Sequence, residues 1–114
     1  YDLRFPELYR SLVGSGATVV TVPANFTRET GRDHWEVLLR ARAIENQCYV
    51  VAPNQCGTNP ATGIASHGHG MVVDPWGRIL CAAADSEGVR RATLDRTHLD
   101  RVRRHVPVLE HRTL

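Results

Sequence analysis

The chain has 114 residues, 42% hydrophobic and 23% charged, which fits an ordinary globular domain and excludes a disordered or collagen-like chain. Fourteen basic against twelve acidic side chains leave a formal charge of +2, too small and scattered to mark a nucleic-acid surface or a polybasic membrane patch. The longest apolar stretches, Ala17–Pro23 and Tyr49–Pro53, fall far short of the roughly 18–20 residues of a membrane-spanning helix, and no signal peptide is visible.

In chain order, Pro6 near a helix start, Leu8, Leu12 and Val13 at helical spacing, and Gly14 and Gly16 beyond them predict a short helix over 5–15. The β-branched run ATVVTV, Ala17–Val22, ends at Pro23 and predicts a buried strand. After the loop PANFTRETG, the segment DHWEVLLRARAIENQ predicts a helix over 33–47, with Asp33 as its cap and Glu36 four residues before Arg40. The apolar run CYVVAPN follows at once, so residues 17–54 read as a strand-helix-strand unit holding a parallel pair with a right-handed crossover. Gln55–Ser66, rich in Gly, Pro, Asn and Thr, reads as an exposed loop. GHGMVVD, RILCAAA and VRRATLD then predict three strands joined by turns at DPWG and DSEG, an antiparallel meander. A last helix over 96–105 and an irregular tail containing Pro107 complete the chain.

Four features bear on chemistry. Every basic side chain other than histidine is arginine, so a mechanism needing a lysine amine cannot be completed within this chain. An odd count of three cysteines without a secretory signal fits reduced thiols and a cytoplasmic setting. A start at Tyr1, with the single methionine at Met71, reads as a cut piece or an incomplete reading. The helix that opens directly after Tyr1-Asp2 reads as the second half of a strand-turn-helix corner, whose apex would precede Tyr1.

Other groups have bland readings. Cys48 and Cys81 sit in apolar runs and read as small buried hydrophobes, whereas Cys56 lies in a polar loop near His67 and His69. On an extended strand those two histidines would face one side and begin a metal site, but no second pair of ligands has suitable spacing, so no metal is expected. Arg101, Arg103, Arg104 and Arg112 alternate with acidic residues and read as a solvated face or an oligomer contact. Trp35, Tyr49 and Trp76 are spread over a helix, a strand and a turn, which suits packing better than stacking on bases.

Taken together and in order, YDLRFPELYR, VPANFT, HWEVLLRARAIENQCYVVAPNQCG, SHGHGMVVDPWGRIL and RVRRHVPVLEHR resemble the carbon-nitrogen hydrolase (nitrilase) superfamily, in its branch of small amidases similar to Nit proteins and omega-amidase. The resemblance implies an α/β fold, the α-β-β-α sandwich. Residues 1–114 would form the C-terminal part of a single domain: a βαβ unit, an antiparallel meander and a C-terminal helix. It also implies a Glu-Lys-Cys triad acting through a thioester, with the cysteine immediately before Tyr1 and the other two members further upstream. No triad member would then lie in this chain, and the isolated chain is expected to be inactive and marginal or aggregating. The Tyr1 backbone N–H would serve the oxyanion hole. Asn25 and Phe26 would line the substrate pocket. Asp2, Arg4 and Glu7 would hold the corner, and Trp35, Glu36, Arg42, Glu45 and Asn46 would form internal ties. The implied substrate is a small linear amide such as a monoamide of a dicarboxylic acid, turned over without a cofactor. The complete protein is expected to be a homo-oligomer paired through its outer helices, with the segment after the cysteine and the C-terminal tail contributing. Two alternatives are a truncated, non-catalytic family member acting through subunit pairing and, more weakly, a metal- or nucleotide-binding module built on the His67 and His69 loop.

Overall fold

The computed structural model describes residues 1–113. A 3-10 turn at Asp2–Arg4 leads into α1 (Pro6–Gly14) and β1 (Val19–Thr21). A helical stretch follows, made of α2 (Arg28–Thr30), a π-helical turn (Gly31–Trp35) and α3 (Glu36–Asn46). Next come β2 (Tyr49–Ala52), β3 (Met71–Val73), β4 (Ile79–Ala82), α4 (Arg96–His105) and α5 (Val108–His111). The strands form one sheet in the order β1-β2-β3-β4. β1 and β2 run parallel, with Val20 beside Val50, as the strand-helix-strand reading requires. β2 with β3 and β3 with β4 are antiparallel, aligning Val51, Val72 and Cys81 in one row.

Alternation along the strands divides the sheet into two faces. Val20, Val50 and Val73 point under the helices and are buried with Leu3, Tyr9, Val13, Trp35, Leu39 and Ala43. On the other face Val19 is exposed and Val51, Val72 and Cys81 are half-buried. No helix among the described residues is long and apolar enough to cross a membrane.

Three expectations need correction. The central helical stretch begins at Arg28 and not at Asp33, because Thr27 is the cap: its backbone is extended and its hydroxyl accepts the Thr30 N–H. Asp33 is spent on an exposed pair with the adjacent Arg32, which lowers its carboxyl pKa through a side-chain hydrogen bond. The third meander strand does not form, and residues 83–95 carry no strand among the described residues. Its far end is moored elsewhere: the Tyr49 hydroxyl, at the start of β2, bonds both the N–H and the carbonyl of Asp95. The connection from β4 must therefore cross the sheet to reach α4, and Arg90–Leu94 run over Val51 and Val72. In the tail, Val108–His111 close a short helix behind Pro107, which suits a helix start.

Candidate active site

The first turn is held from behind. Leu3 is buried, and its carbonyl accepts two hydrogen bonds from Arg42, Nε at 3.1 Å and Nη2 at 2.8 Å. The remaining arm of that guanidinium, Nη1, donates to Glu45 Oε1 at 3.0 Å. Asn46 Nδ2 in turn donates to the Arg42 carbonyl at 2.9 Å, one helical turn back. The Tyr9 ring covers the guanidinium at 5.6 Å, and burial followed by the charge of Asp2 raises the Tyr9 pKa. Arg42 is buried yet fully engaged, the condition under which a charge is tolerated inside a protein. The fork fixes the backbone from Tyr1 to Arg4, where the sequence places the corner.

In front of this turn, Tyr1, Asp2, Leu8, Leu12, Ala24 and Phe26 line a cleft of about 50 Å³ between α1 and the end of β1. That is room for little more than a water or two, far below the ~300 Å³ of even a small ligand pocket. A larger hollow of about 400 Å³ lies across Val51, Val72, Cys81, Cys56 and His69 on the open sheet face, and it shares no residue with the cleft. The open face accounts for its volume.

The cleft wall is organised around Phe26. Its ring packs on Trp35 at 4.9 Å between centroids. The Arg4 guanidinium lies 5.3 Å from the same ring and 5.5 Å from that of Tyr1, with Nη1 3.2 Å from His34 Nδ1. No carboxylate pairs with Arg4 among the described residues. The Phe26 N–H donates to Asn54 Oδ1 at 3.0 Å, and its carbonyl accepts from the His67 N–H at 2.8 Å. Trp35 Nε1 donates to the His69 carbonyl at 2.8 Å, joining the helical stretch to the same loop. Gly31 permits that approach, because a Cβ there would overlap the His67 ring.

The structure thus brings Tyr1, Asp2, Arg4 and Phe26 together, with Trp35 behind the wall and Arg42, Glu45 and Asn46 behind the turn. Asn25 is exposed beside the wall, with Oδ1 accepting from Ser66 Oγ at 2.7 Å, and does not line the cleft. Glu36 departs from its expected internal role. It is exposed and meets only Arg40, at 3.4 Å and one turn along α3, a pairing of surface type. Glu7 is likewise exposed, on the first turn of α1. Asn54 and Ser66 went unread in the sequence, since an asparagine after a strand and a serine in a polar loop are ordinary there. The remaining thiols and imidazoles form no second centre. Cys48 is fully buried, and desolvation pushes its thiol up to about 12. Positive φ at Gly68 and His69 breaks the extended path assumed for the histidine pair, whose rings stack at 4.4 Å. Burial, then the neighbouring His69, lowers the His67 pKa. Among the described residues no group of three or more potential ligands could hold a metal ion.

The description "Carbon-nitrogen hydrolase" belongs to the family matched by residues 1–104. The chain belongs to the carbon-nitrogen hydrolase family. It is 53% identical over 112 residues to "Deaminated glutathione amidase" from Synechocystis, a match covering 98% of this chain and 41% of that protein. Among solved structures it resembles Nit3 of Saccharomyces cerevisiae, of the nitrilase superfamily, with a TM-score of 0.92 and 36% identity over 100% of this chain and 42% of that one. The C. elegans NitFhit protein gives a TM-score of 0.89 at 46% identity, over 99% and 27% of the two chains. The chain therefore spans about two fifths of the length of the Synechocystis relative. Its fold is that of the nitrilase superfamily.

Proposed function

We propose that the complete protein is a cysteine-dependent amidase, that residues 1–114 form the C-terminal part of its single catalytic domain, and that it cleaves a short linear amide whose acyl end carries a carboxylate. The likeness to an amidase along 98% of this chain carries the reading. The substrate class draws further support from Arg4, a cation stacked on the wall with no acidic partner among the described residues, and so free to meet a carboxylate. Deaminated glutathione, named for the Synechocystis relative, has such an acyl chain.

In the mechanism proposed, a cysteine immediately before Tyr1 attacks the amide carbon as its thiolate. A glutamate outside this chain accepts the thiol proton and returns it to the leaving nitrogen as the C–N bond breaks. The Tyr1 N–H and a lysine, also outside this chain, stabilise the oxyanion. Water, deprotonated by the same glutamate, then attacks the thioester; the C–S bond breaks and the acid leaves. No cofactor enters this sequence. Arg42 contributes by fixing the backbone on which the Tyr1 N–H is carried. The three free cysteines support a reducing, cytoplasmic setting in this reading.

The test is made on the complete protein. With a monoamide of a dicarboxylic acid, the protein is expected to release ammonia and to accumulate an acyl adduct, seen by intact mass after rapid acid quench. Replacing the cysteine before Tyr1 by alanine should abolish both. A folded protein that hydrolyses neither this amide nor its neutral analogue overturns the reading and leaves the truncated, non-catalytic alternative.

A further inference from the structure

We infer that Asn54 is a positioning residue that sets substrate selectivity by locking the Phe26 wall. The proposal rests on the amidase reading above and adds to it a residue that does not itself line the cleft. Three loops meet at this side chain. One follows β1 and carries Ala24 to Thr27, one follows β2 and carries Asn54 itself, and one precedes β3 and carries Ser66 to Gly70. None of the three is paired as a full strand there; isolated bridges join Ala24 to Asn54, parallel, and Thr27 to Ser66, antiparallel.

The carboxamide ties them. Oδ1 accepts the Phe26 N–H at 3.0 Å, and Nδ2 donates to the Gly68 carbonyl at 2.7 Å. The circle closes through backbone, since the His67 N–H reaches the Phe26 carbonyl and the Gly68 N–H reaches the Gln55 carbonyl, each at 2.8 Å. Phe26 is thereby gripped at both its N–H and its C=O, which fixes the backbone from which its ring packs on Trp35 and meets Arg4, so a shift of that backbone carries the ring with it. Only a short side chain with a donor and an acceptor at one end can do this. Aspartate would set a carboxylate oxygen against the Gly68 carbonyl, and serine would be too short to span both partners. Ser66, buried in the third loop, adds the bond to Asn25 next door.

Because the lock acts through Phe26 on Arg4, its loss should be felt by one class of substrate. A carboxylated amide depends on the placement of the Arg4 guanidinium, whereas a neutral amide of equal chain length does not. The experiment compares kcat/KM for the two amides in the complete protein and in its Asn54→Ala, Asn54→Asp and Ser66→Ala variants. Active sites are counted by burst titration so that only folded enzyme enters the comparison. Asn54→Ala is expected to lower the preference for the carboxylated amide at least about tenfold, mainly through KM. Asn54→Asp should lose a similar preference, and Ser66→Ala less. Equal losses on both substrates, or an unchanged ratio, would overturn the proposal. A second readout needs no turnover: hydrogen exchange at the Phe26 amide should accelerate in Asn54→Ala, and unaltered protection there would overturn it as well. If the wild-type protein cleaves neither amide, it is the amidase reading that fails, and the exchange measurement still decides whether Asn54 locks the wall.

Discussion

Arg42 has the heaviest structural duty of any single side chain near the corner. Its fork gives the buried Leu3 carbonyl two donors, both lost if the side chain is cut back. Arg42→Ala should destabilise the complete protein by about 2–3 kcal/mol, the cost of an unsatisfied buried carbonyl together with a weakened Glu45 contact. Glu45 is itself 30% exposed on its side chain, so solvent takes up part of its loss. Arg42→Lys should recover little, because a point charge cannot donate twice to one carbonyl and once to a carboxylate. Urea unfolding followed by near-UV circular dichroism checks both, and a lysine variant as stable as wild type would show that charge alone suffices. The resemblance alone marked Arg42, Glu45, Asn46 and Trp35 as internal ties, where spacing read Arg42 and Glu45 as a surface pair, and each has a hydrogen-bond partner within the fold. Neither could separate Glu36, whose i to i+4 pairing with Arg40 looks the same on paper as a buried tie. Asn54 escaped for a deeper reason. Its partners are backbone atoms of residues 28 and 14 positions away in sequence, and no local pattern records a bond to a distant peptide group.

At the level of elements, the start of the central helical stretch separates propensity from geometry. Asp33 precedes the strong helix formers and resembles a cap, but Thr27 has the extended backbone and the hydroxyl in place, five residues before the first residue of that exposed Arg32 and Asp33 pair. Thr27→Ala should therefore cost about 1 kcal/mol of stability, whereas Asp33→Ala should leave the urea midpoint where it is. The reverse ranking would restore Asp33 as the cap. Between the two lies the π-helical turn, at which the stretch passes Gly31 against the His67 ring before resuming as α3. Nothing in the 3.6-residue periodicity announces such a turn, which lies where the His67 loop packs against Gly31. The failed third strand is no easier to read in the sequence. Its residues favour extension, yet Tyr49 fixes Asp95 two strands inward from β4, and that distant mooring decides the route of the chain.

For the whole molecule, the question is which apolar surface belongs to which partner. The chain presents two. The open sheet face carries Val19, Val51, Val72 and Cys81, and the outer helix layer exposes Val37, at 65%. We propose that the complete protein covers the first within its own domain and uses the second, with Val106 and Val108 of the tail, to pair copies of itself. The two surfaces then respond differently to charge. In the complete protein, Val37→Asp should reduce the mass measured by light scattering while leaving the fold intact, because an exposed contact between subunits is lost and nothing in the core is touched. Val72→Asp should instead prevent folding, since it would place an unpaired carboxylate between two layers. The isolated 114-residue chain leaves the sheet face only partly covered and the helix surface bare, and it should aggregate without releasing ammonia. There Val72→Asp should improve solubility, the opposite of its effect in the complete protein. A reversal of sign for one substitution between two lengths of the same chain is the result expected if the sheet face is interior in one and surface in the other. An isolated chain that stays monomeric and melts cooperatively would show that this face needs no cover.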